Sequence, residues 1–151
     1  MLDNVMNTIA RNIIQSPEIA SLCHDAWGQP LSVYSGYLPD ESPELHDVPC
    51  VQIASADRSR STNLNNREHL LLLGVFSLSG GYIKSHEGYF YQPERKHHEE
   101  LAAYCEQIAA ETMLRENVSC TPVSASADQQ WSYQGFGSFY GFHLSFYSPL
   151  A

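Results

Sequence analysis

Basic residues are scarce in this chain. Eight Lys and Arg stand against 17 Asp and Glu, giving a formal net charge of −9. That balance excludes general nucleic-acid binding, which works by neutralising phosphates. Long apolar runs are also missing; nothing approaches the roughly 18 residues of a membrane-crossing helix. The first residues, MLDNVMNTIARN, mix polar and apolar types around an early Asp3, unlike a secretory signal. Cys23, Cys50, Cys105 and Cys120 form no CxxC pair, so the zinc and dithiol spacings are absent. They read as reduced, structural thiols in a cytoplasmic setting.

Catalytic motifs are absent too. There is no HExxH, no GxSxG and no GxxxxGK. Seven histidines remain as candidates for metal or acid–base work. His97-His98-Glu99-Glu100 is the densest group, but adjacent helical positions diverge by about 100°. The cluster reads as a solvated first helical turn. His69 with Glu68 and His86 with Glu87 read as strand-end or loop pairs, and His143 as a half-buried residue of an aromatic strand. The nine tyrosines do not interleave with Lys and Arg as in an RNA binder. No catalytic, cofactor-binding or metal-binding residue is assigned.

What the chain does have is a strong apolar stretch, HLLLLGVFSLS, from His69 to Ser79. Leu70, Leu72, Phe76 and Leu78 share one parity, and Leu71, Leu73 and Val75 the other. As a strand, it puts apolar side chains on both faces, and both faces need cover. At 151 residues the chain is long enough for one domain with a real core, spanning 1–151.

The remaining elements follow from periodicity and punctuation. Val5, Met6, Ile9 and Ile13 make the stripe of a first helix ending near Gln15. Ser16-Pro17-Glu18 starts a second, with Ile19, Leu22, Cys23 and Ala26 inward and Gly28 and Pro30 at its end. Leu31–Tyr37 and Val48–Ala54 read as strands on either side of an acidic loop, Pro39–Asp47. Ser55–Arg67 is polar and carries Arg58, Arg60 and Arg67, so it reads as a long mobile hairpin tip. Gly80-Gly81 marks a turn, and Tyr82–Tyr91 reads as weak sheet or ordered loop. Pro93 opens a long helix to about Asn117, its core stripe Leu101, Cys105, Ile108 and Thr112. Val118–Val123 reads as a short strand. The tail is a strong β signal, with Tyr140, Phe142, Leu144 and Phe146 on one face and Phe139, His143 and Tyr147 on the other. Gly135 and Gly137 mark a bulge or turn before it.

The expected fold is α+β: an antiparallel sheet of about four to six strands with helices packed on it. The Pro93 helix covers one face of the Leu70 strand. The N-terminal helices or an adjacent subunit cover the other.

This order of elements, with Gly36-Tyr37 before the acidic loop and Val48-Pro49-Cys50-Val51 at a strand start, resembles tailed-phage tail terminator or tail-completion proteins, including prophage-encoded copies. The resemblance implies a structural assembly protein, not an enzyme. It implies a homo-oligomeric ring, typically a hexamer, on the end of the tail tube, with the tail tube protein and a head-connector protein as partners. It would be found in the host cytoplasm and, once assembled, in the virion tail. Arg58, Arg60 and Arg67 are then the candidate partner or subunit interface. Two alternatives stand beside it: a head–tail connector or minor tail protein of the same architecture, and a small metal-dependent enzyme.

Overall fold

A computed structural model describes residues 2–36, 49–57, 66–78, 84–91, 94–116, 119–125, 129–132 and 135–147. In chain order these residues form α1 (Leu2–Ile14), α2 (Pro17–Trp27), β1 (Ser32–Ser35), β2 (Cys50–Asp57), β3 (Asn66–Leu78), β4 (Lys84–His86), β5 (Tyr89–Tyr91), α3 (Glu94–Arg115), β6 (Ser119–Ala125), β7 (Gln129–Ser132) and β8 (Gly135–Tyr147).

The helices start and stop where local chemistry dictates. Ser16 caps α2, its Oγ accepting from Ile19 N–H at 3.3 Å, and Pro17 sits where no intrahelical N–H is needed. Gly28 closes the helix in the left-handed conformation, φ 65°, donating its N–H to His24 O at 3.0 Å. The α1 stripe is as expected: Val5, Met6, Ile9 and Ile13 are all buried.

The sheet runs β1-β2-β3-β8-β6, with β7 also paired to β8. β3 and β8 are antiparallel along their whole length, Leu71 opposite Phe142 and Leu73 opposite Tyr140. β6 and β7 share the other side of β8. The sheet is mixed, which corrects the antiparallel expectation: β1 lies parallel to β2, Ser32 opposite Cys50 and Ser35 opposite Ile53. Parallel neighbours need a crossover connection of about a dozen residues or more. The chain between Ser35 and Cys50 has that length, although a Pro-rich acidic stretch invites reading it as a hairpin.

All three described helices lie on one face. Residues of α1, α2 and α3 share one apolar core with Val51, Ile53, Leu71, Leu73, Val75, Phe142 and Leu144. α1 lies over β1 and β2, α3 over β3, β8 and β6, and α2 against α3 and α1. At about 25 cal/mol per Å² of apolar surface this layer is the main stabilising term. Polar ties pin it: Asn12 Nδ2 donates to Thr112 Oγ1 at 2.9 Å, and Ser35 Oγ to Asn7 Oδ1 at 2.8 Å. The N-terminal helices therefore do not cover the second face of β3.

Of the stretch Tyr82–Tyr91, expected as weak sheet or ordered loop, the described residues 84–91 neither join the main sheet nor form a loop. β4 and β5 make a separate two-stranded hairpin. Its turn is Glu87-Gly88, both with positive φ, 48° and 88°. That is the backbone of a type I′ turn, which matches strand twist and favours glycine.

Candidate assembly surface

Two features of the fold have functional content: a buried histidine at one end of the sheet, and the sheet face that no described helix covers.

His98 is fully buried where the first turns of α3 cross β3 and β8. Its Nδ1 lies 2.6 Å from Ser77 Oγ and its Nε2 2.8 Å from Ser138 Oγ. Phe136 lies against the ring, centroids 5.5 Å apart. A neutral imidazole has one N–H and one acceptor nitrogen, and a hydroxyl can play either part. Both ring nitrogens are thus engaged. The serines are fully buried as well. A nucleophile has to be reached by its substrate, so this is a structural bolt joining helix to sheet. It corrects the solvated reading of the His97-His98 pair. His97 is half-buried, its ring edge-on to Trp27 at 6.4 Å, and Trp27 Nε1 donates to Leu78 O at 3.1 Å.

The thiols are structural, as expected. Cys23, Cys50 and Cys105 are buried and form no disulfide. Burial pushes the Cys23 thiol up to about 11. Burial, then the neighbouring Cys23, pushes Cys105 further up. Neither can act as a thiolate near neutral pH. Among the described residues no three His, Cys, Asp or Glu side chains gather. No described helix is long and apolar enough to cross a membrane.

The outer face of the sheet is built from the even positions of β2 and β3 and the odd positions of β8. Cys50 and Phe76 are buried there, with Tyr34 and Leu78 packed against them. The Phe76 ring meets Phe139 edge-on at 5.4 Å. Gly74 makes this fit possible: a Cβ on it would sit 3.0 Å from Phe76 Cε2. Gly137 lies opposite Phe76 and Gly141 opposite Leu72. Leu72 and Phe139 are exposed, and Leu70 and His143 half-buried. Gln52, also on this face, buries its amide Nε2 with no acceptor among the described residues. The glycines opposite aromatics are what the sequence reading passed over. Gly135 and Gly137, expected to mark a bulge or turn, both belong to β8, whose pairing with β7 shifts register between Gln130 and Ser132.

Of the sequence-derived interface residues, Arg58 and Arg60 lie outside the described residues. Arg67 belongs to β3, opposite Phe146, so the hairpin strands run further than the composition suggests and the tip is shorter.

Comparison with known proteins begins at the level of the fold, a mixed α+β sheet with its helices on one face. No protein-family model matches the chain, and no curated protein does. Among solved structures it resembles a chain from a structure described as "Virion of native gene transfer agent (GTA) particle". The TM-score is 0.54 at 12% identity, over 95% of this chain and 94% of that one.

Proposed function

We propose that this chain is a structural subunit of a tailed-phage or phage-like particle, a tail terminator that sits as a ring on the end of the tail tube and meets the head connector. The observation that carries the reading is end-to-end likeness of fold to a chain of a gene transfer agent virion, 95% of one chain against 94% of the other. It agrees with the element order, which independently resembles tail terminators. The buried ties argue in the same direction: the one Ser–His arrangement described is sealed inside the core, as suits a scaffold better than an enzyme. In this reading the ring is a homo-oligomer, typically a hexamer. Arg58, Arg60 and Arg67 at the β2–β3 hairpin reach the tube, a neighbour or the lumen. The protein passes from host cytoplasm to virion.

The test is size-exclusion chromatography with light scattering and negative-stain imaging, followed by addition of the protein to polymerising tail tube protein. Rings of fixed stoichiometry that stop tube growth are expected. A protein that stays monomeric at high concentration and leaves tube growth unchanged overturns the proposal. Rings that bind the head connector and ignore the tube would instead assign the head–tail connector role.

A further inference from the structure

We draw no further inference here: the strongest candidate, the largely apolar cleft of about 280 Å³ between the end of α1, α2 and the segment leading into β1, lined by Ile13, Ile14, Ile19, His24 and Leu31 among others, carries nothing because nothing in the structure shows what occupies it.

Discussion

His98 holds α3 to the sheet through both ring nitrogens, so truncating it leaves two buried hydroxyls short of a partner and a cavity besides. His98→Ala should lower the unfolding free energy by about 3 kcal/mol, and Ser77→Ala or Ser138→Ala by about 1–2 kcal/mol each, measured by urea denaturation. Gln52 predicts the opposite sign. Its amide is buried without an acceptor, so Gln52→Met should stabilise the monomer by about 1 kcal/mol. The thiols set an alkaline limit. Cys23 rises from about 9 to about 11 in the folded chain. Its contribution is therefore complete below about pH 9. Above that, the unfolded chain ionises first, at Cys23 and at Cys105 alike, and stability should fall by up to about 1.4 kcal/mol per pH unit for each of the two thiols until the folded Cys23 itself titrates. Thermal melts from pH 8 to 11 would read it. At this scale the sequence was informative about the apolar stripes and less so about His98. The stripe Leu101, Ala102, Cys105 extends back three and four positions onto His98. An imidazole beside two glutamates looks solvated unless one sees that two serines wait on the strands it faces.

Among the elements, β3 shows how backbone space and side-chain shape are matched. Gly74→Ala would press a Cβ against the Phe76 ring at 3.0 Å, and should destabilise by about 1–3 kcal/mol through overpacking, a shift in urea midpoint with unchanged slope. The β2–β3 connection shows where composition misleads. Asp57 and Asn66 to Leu70 already belong to the paired strands. Deleting Ser55–Arg67 would therefore remove ladder residues and should unfold the protein. Replacing only 58–65 by a short Gly-containing turn should leave the melting temperature within a few degrees and impair assembly. Existence and order of the elements were legible because amphipathic helices and β-branched or aromatic strands announce themselves locally. The parallel β1–β2 pairing and the shared face of all three helices were not. Both depend on which way a connection crosses, and no local pattern encodes that. The β4–β5 hairpin had a faint signal in Glu87-Gly88, weaker than Asn-Gly or Asp-Gly because glutamate does not favour positive φ.

For the whole molecule the acid excess is the dominant long-range term. Copies of a chain carrying −9 repel one another at low ionic strength, where the Debye length is long. If they meet through uncharged aromatic and aliphatic surfaces, raising the salt from low to moderate concentration should strengthen self-association. Light scattering across a salt series would check this; an interface built on Arg58, Arg60 and Arg67 against the acids would weaken instead. The sheet order carries a separate consequence, for synthesis on the ribosome. β8 follows every other described element in the chain, yet it lies between β3 and β6 and also holds β7. Until it emerges from the exit tunnel, β3 has a neighbour on one side only, and β6 and β7 have none. The helices and the β1-β2-β3 half can gather early, but the sheet is closed by β8. A nascent chain stalled before Gly135 should remain protease-sensitive, and one stalled far enough beyond Tyr147 to free β8 should become resistant in a single step.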